Sequence, residues 1–207
     1  MNKYLPAIAM LVALSATPAA HAAANTDPDW PCIQRKVPEL SIGQVWNGDE
    51  LPETAKQWNR DLKLSDLAAE LVKRANPIEN ARKQIIDYAT TLPEDQVHEK
   101  LEQLFMGVFD KINVERGQII SGIARYAEKQ RQLAADLRKR AAEVDKMRTA
   151  SDTDQAEFAK HDQQLTWETR IFEERAQSLT YVCEVPTLIE QRLYSLSKII
   201  SETLPKD

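Results

Sequence analysis

The chain has 207 residues, of which 29% are charged and 6% aromatic, and a net charge of −5. That length suits one domain with a buried core, and the acidic balance argues against a nucleic-acid partner, whose electrostatic footprint is basic. Only five glycines occur, none after Gly122, and the abundance of Ala, Leu, Glu, Gln, Lys and Arg favours long helices and an all-α fold.

Residues 1–22 read as a signal peptide. Lys3 supplies the charge, Leu5 to Leu14 the apolar run, and Ala20-His21-Ala22 the small-residue cleavage site, the secretory pattern. The run is too short to cross a bilayer, which takes about 20 apolar residues; an uncleaved anchor is the alternative reading. Cys32 lies ten residues past the expected cut near Ala22, which argues against a lipid-anchored product. Cleavage there leaves 185 residues with 26 basic and 32 acidic side chains, net −6. No later stretch is apolar enough to span a membrane, so the expected location is a periplasm or the exterior.

Residues 23–52 contain Pro28, Pro31, Pro38 and Pro52, a spacing that forbids a long helix. Trp30, Ile33, Val37, Leu40, Ile42, Val45 and Trp46 make the segment too apolar for a free tail. It is expected to be an extended arm packed on a helical body formed by residues 53–207. Short helices follow over 53–92. One starts at Pro52-Glu53 and reaches about Asn59, and a second is capped by Ser65-Asp66. A third starts at Asn76-Pro77-Ile78-Glu79, where Asn is placed as N-cap, Pro at the first helical position and Glu three residues after the cap.

Pro93 with Glu94 and Asp95 opens a long helix, since acidic side chains suit the positive end of the helix dipole. Apolar residues then recur from Val97 to Met147 mostly at alternating three- and four-residue steps, the mark of a coiled-coil seam, with a stutter at 112–119. A turn is expected at 149–152 and a second long helix over 152–204. Two long helices joined by a short turn lie antiparallel. With the turn centred between residues 150 and 151, Val97 faces Leu204, Leu101 faces Ile200 and Ile112 faces Ile189. The distal arms carry opposite charge: residues 125–148 hold eight basic and four acidic side chains, and residues 152–174 seven acidic and two basic. The expected architecture is a long antiparallel hairpin with a base covered by the short helices and the arm, and a bare stem of about 35–40 Å.

Between base and stem lies a waist. Cys32 and Cys183 are the only cysteines, and an even count in an exported chain points to a disulfide; two separate buried thiols are the alternative. Pro186 lies inside the last helix, where it removes a donor and is expected to kink the chain. Gly117 and Gly122 fall at the same level, where glycine permits close backbone approach. The expectation is that Trp30 and Cys32 dock here, and that Glu115, Arg116, Gly117, Tyr181, Glu184 and Pro186, with Glu190, form a polar cluster that is either a ligand pocket or an ion network.

Candidate chemistry is sparse. His98 follows Asp95 by three residues and His161 follows Glu157 by four, but a lone pair is no metal site, since helical di-metal centres need Glu-x-x-His on two helices and further carboxylates. No Cys-x-x-Cys, catalytic triad order, P-loop or Gly-x-Gly-x-x-Gly occurs. The sequence therefore predicts no catalytic residue, no metal and no cofactor. It favours an exported, non-enzymatic binding or scaffolding protein whose stem meets another envelope protein, with a homodimer possible. The competing reading is a small-ligand or metal-binding module that uses the waist; an unrecognised enzyme is a third.

Overall fold

The computed structural model describes residue 27 and residues 29–205; the segment expected to be a signal peptide, with its expected cleavage site, lies outside the described residues. The described chain is all-α, with α1 Leu62–Val72, α2 Ile78–Thr90, α3 Glu94–Thr149 and α4 Gln155–Thr203, preceded by 3-10 segments at Ile42–Gln44 and Glu53–Arg60. α3 and α4 pack antiparallel along their length, α1 and the second 3-10 helix lie on α3, and α2 lies on α4.

Local signals set most element ends, with shifts of register. α1 starts three residues before Ser65: Asp61 is its N-cap, and its carboxylate accepts from the Leu64 amide at 3.2 Å. The Lys100 ammonium at 2.8 Å from Asp61 holds that carboxyl below the usual carboxylate range. Pro77, not Asn76, is the cap residue of α2. The Asn76 amide instead donates to the Glu70 carbonyl and to Gln84 Oε1 at 2.8 Å, tying the end of α1 to α2. α4 begins at Gln155, capped by Asp154, whose carboxylate accepts from the Ala156 amide at 2.7 Å. The turn is thus centred on Asp152, because it takes residues from the start of α4 to place that cap. Facing positions shift by about three residues from those expected. Pro186 does not end α4, which is helical through it.

The core sits at the base. Every residue from Leu101 to Phe109 is buried, Glu102 and Gln103 included, so this part of α3 is enclosed on all sides, as a helix buried all round must be. Trp46 of the arm meets Phe105 with ring centroids 4.3 Å apart, and Val45 and Trp46 join the same cluster as Leu64, Leu71, Ile85, Leu193 and Ile200. Gly107 explains how the second 3-10 helix comes so near: a Cβ there would lie 3.1 Å from the Trp58 ring and 3.2 Å from the Ala68 Cβ. Trp58 is fixed in turn by its indole N–H, which donates to Asp110 Oδ2 at 2.8 Å, and by the Lys111 ammonium 5.0 Å from its ring centroid. The sequence placed close approach at Gly117 and Gly122. A Cβ at Gly117 would meet nothing within 4 Å, and one at Gly122 only the end of the Arg125 side chain at 3.9 Å. Close packing of backbone occurs at the base instead, where more elements converge.

The stem matches its expected bareness. Of residues 128–182, Val144 alone is buried. Beyond Ala127 α3 runs on for about 33 Å at 1.5 Å per residue with only α4 beside it. The opposite charges of the two arms meet in two cross-helix pairs, Arg140–Glu168 at 3.1 Å and Arg148–Asp162 at 3.5 Å; Arg131 reaches Asp29 of the arm at 2.5 Å. Exposed pairs of this kind contribute about 0–1 kcal/mol each, so they set pairing more than stability.

The two glycine environments give opposite expectations. Gly117→Ala should stabilise the protein by about 0.5–1 kcal/mol, since it removes backbone entropy from the unfolded chain at an open helical site. Gly107→Leu should destabilise it by about 1–3 kcal/mol by overpacking against Trp58. Urea denaturation of both variants checks this, and equal shifts of one sign would sink the assignment of Gly107 as the close-approach position.

Candidate functional site at the waist

The arm has almost no regular structure, so its backbone polar groups need partners from elsewhere. α3 supplies them one helical turn apart. The Asn113 side chain is bound twice to Leu40, its Oδ1 accepting from the Leu40 amide at 3.1 Å and its Nδ2 donating to the Leu40 carbonyl at 3.2 Å. Arg116, 2% exposed, donates through Nη1 to the carbonyls of Val37 and Pro38. Its Nε lies 2.7 Å and its Nη2 2.5 Å from Glu190 Oε1 on α4. One guanidinium thereby joins arm, α3 and α4 in the planar, many-donor manner that suits arginine. On α4, the buried Ser197 hydroxyl donates to the Val45 carbonyl at 2.5 Å.

One level toward the stem the arm is bonded covalently. Cys32 and Cys183 form a disulfide with Cα atoms 5.4 Å apart, closing a sequence separation of 151. Both half-cystines are buried in a small cluster with Trp30, Ile120 and Ile123. The Trp30 indole N–H donates to the Gln34 carbonyl at 2.5 Å, so the ring is held by its own segment and packs on α3.

The expected waist residues divide into two sets. Trp30, Cys32, Arg116, Cys183 and Pro186 are buried and belong to the inner junction. Glu115 turns the other way and pairs with Arg74 at 3.6 Å. Tyr181, 73% exposed, and Glu184 lie on the outer side of α4 and join neither group. The reason is helical phase: Tyr181 and Glu184 flank Cys183, which points inward, so neither faces Arg116. Gly117 borders an opening of about 470 Å³ between the arm and α3, lined also by Lys36, Pro38, Asn113 and Ile120. Asn113 is a residue of this junction that the sequence reading missed. The one hint to it was the interruption of the apolar seam after Ile112.

A second opening of about 520 Å³ lies between the arm and α4, lined by Val37, Leu40, Val45, Glu190, Gln191 and Tyr194. Its size falls in the range of small-molecule sites, and it is mostly apolar with one carboxylate at the wall. That carboxylate already accepts from Arg116, so the groove offers shape and apolar contact more than acid–base chemistry. Among the described residues no group of three His, Cys, Asp or Glu side chains is placed to hold a metal. Among the described residues His98 makes no ion pair with Asp95; its Nε2 lies 3.3 Å from Glu102 Oε1. Burial pushes the Glu102 carboxyl above its ordinary value, and His98 offsets this in part. No bond joins Glu157 to His161 among the described residues. Comparison with protein-family models, curated proteins and solved structures gives no match. No helix among the described residues is long and apolar enough to cross a membrane.

Two measurements follow from these contacts. Arg116→Met leaves the Val37 and Pro38 carbonyls without their donor and should cost about 2–4 kcal/mol in urea unfolding. Glu190→Gln, at a half-exposed site, should cost about 1 kcal/mol or less. An Arg116→Met effect no larger than that of Glu190→Gln would remove the arm carbonyls from the account. The folded state binds the Glu102 proton more tightly than the unfolded chain, so this group favours folding at low pH. That contribution is lost as pH rises from the ordinary carboxylate range through the raised folded value. Glu102→Gln should accordingly be more stable than the native chain at pH 7 and equal to it near pH 3.

Proposed function

We propose that the protein is an exported, non-enzymatic binding or scaffolding protein whose stem is an arm for another envelope protein. The observation that carries this is the bare stem itself. About 33 Å of paired helix projects past Ala127 with one buried residue, and past the Arg131–Asp29 contact no other segment lies beside it among the described residues. Such a lever is costly to order unless something uses it, because its thin seam buries little apolar surface. Export rests on the N-terminal pattern of Lys3, the apolar run and Ala20-His21-Ala22, and a buried disulfide is compatible with an oxidising compartment. Absence of a motif constellation in the sequence supports a binding role over a catalytic one.

The groove between the arm and α4 favours a second reading, a small amphiphilic ligand held at the waist. Its apolar walls and the Tyr194 ring at its mouth suit an aliphatic or aromatic body.

A photo-crosslinking amino acid at Ala142, on the exposed part of the stem, should capture one discrete partner in the native envelope, and one at Arg82 on the body should not. Deleting residues 134–165 should abolish that capture while the Cys32–Cys183 bond still forms. Capture that survives the deletion would sink the arm. For the waist reading, a thermal-shift series with alkyl and aryl carboxylates and amines is decisive, because a ligand bound to the folded state raises its stability. A shift abolished by Tyr194→Ala supports it, and no shift with any of them counts against it.

A further inference from the structure

α4 carries two seams. The one facing α3 includes Leu165, Phe172, Leu179, Cys183, Pro186 and Leu193, half-buried or buried. The second lies on the opposite side. Trp167, Ile171, Tyr181, Val185 and Leu188 fall at alternating four- and three-residue steps, with Glu174 and Ser178 completing the alternation. That is the spacing of a helix-packing stripe. Its largest members are open to solvent, with Trp167 62% exposed, Tyr181 73% and Leu188 52%, while Ile171 and Val185 are half-buried and Val185 also packs against the base core. It ends where the base begins, at Arg192, whose guanidinium donates to the Leu71 carbonyl at the end of α1. Large apolar side chains scattered singly over a surface need no explanation; three in one heptad row do.

The charges beside the stripe select its occupant. Laid antiparallel on a second copy of itself about a two-fold axis near Ala176, the stripe maps onto itself. Trp167 meets Val185, Ile171 meets Tyr181, and Leu188 meets Gln164. Along one edge Arg170 then lies beside Glu184 of the second copy, twice by symmetry; on the other edge Arg175 lies beside Arg175 of the second copy at the axis, a single repulsive contact. Glu184 makes no ion pair within the chain among the described residues, whereas Arg170 holds Glu174 at 3.0 Å in an exposed pair that Glu184 of the second copy would join; all of these side chains are exposed. In a parallel arrangement Arg170 would instead lie beside Arg175, a repulsive pairing. We propose that the protein is a dimer in which two α4 helices pack back to back and antiparallel over residues 164–188, each body lying alongside the other's stem. The contact is isologous and closes on itself. Its anchors are Trp and Tyr, the side chains that dominate such interfaces. It lies on α4 below the tip, so it is separate from capture of another protein by the distal stem.

Sedimentation velocity on the disulfide-bonded chain tests it. The expected result is a doubled mass at micromolar concentration. Trp167→Glu with Tyr181→Glu should give a monomer with an unchanged helical circular dichroism spectrum, since both sites are exposed. Arg170→Glu and Glu184→Arg should each weaken self-association about tenfold, by placing like charges together at two symmetric places. The two combined should restore it, because the swapped charges meet again only in the antiparallel register. A chain that is monomeric up to about 100 μM, too weak for a specific dimer, overturns the proposal. So does a dimer insensitive to the Trp167 and Tyr181 changes, or a charge swap that fails to rescue. Repeating the Ala142 cross-link on the monomeric variant separates the two readings: partner capture that persists without the dimer leaves the arm standing, and a dimer without capture leaves this interface standing.

Discussion

The buried guanidinium of Arg116 is the constraint on which the rest of the waist depends. An arm that is neither helix nor strand brings backbone carbonyls against two helices, and each must find a donor or lose free energy. Arg116 reaches the Val37 and Pro38 carbonyls while its other edge faces Glu190. Asn113, one turn earlier, holds Leu40 by both its amide and its carbonyl. α3 therefore reads the arm's backbone as a neighbouring strand would, but with side chains. This is why a proline-rich segment can lie on a helical body without forming a sheet. It also places Val45 and Trp46 where they complete the base core against Phe105.

The disulfide acts on the same segment from its other end. Cross-linking positions 151 residues apart restricts the unfolded chain, worth about 4–5 kcal/mol on chain-entropy grounds and often less. With polar anchors at residues 37–45 and a covalent one at Cys32, the arm is fixed over both long helices. Above that level the hairpin is held by its own thin seam, a hydrogen bond from the Tyr126 hydroxyl to the Arg175 carbonyl at 2.9 Å, two exposed cross-helix ion pairs and the Arg131–Asp29 contact to the arm. Stability is consequently uneven: the base should open only with global unfolding, and the distal stem should exchange its amides first.

Much of the fold was legible in the sequence because its signals are local. Heptad spacing sets two long helices, a short turn makes them antiparallel, and Pro93 marks the start of the first. The alanine-rich distal segments foretold a bare stem. Errors arose where two plausible local signals competed. Ser65 and Asp61 both suit an N-cap, and Asp61 is the one that also pairs with Lys100 of α3. Asn76 reads as a cap, yet its amide is more useful bridging Glu70 and Gln84.

The sequence by itself determined the helices, their pairing and the single possible disulfide, because periodicity, breakers and a count of two cysteines are properties of the chain alone. Only the tertiary structure decided which residues meet at the waist. Adjacent positions such as Glu115 and Arg116, or Cys183 and Glu184, point to different neighbours, and helical phase over 50 residues cannot be carried from a turn whose centre moved to Asp152. It likewise decided that Gly107, packed under Trp58, is the close-approach glycine, while Gly117 borders open space. That choice depends on where a third element lands, and no pattern within α3 records it.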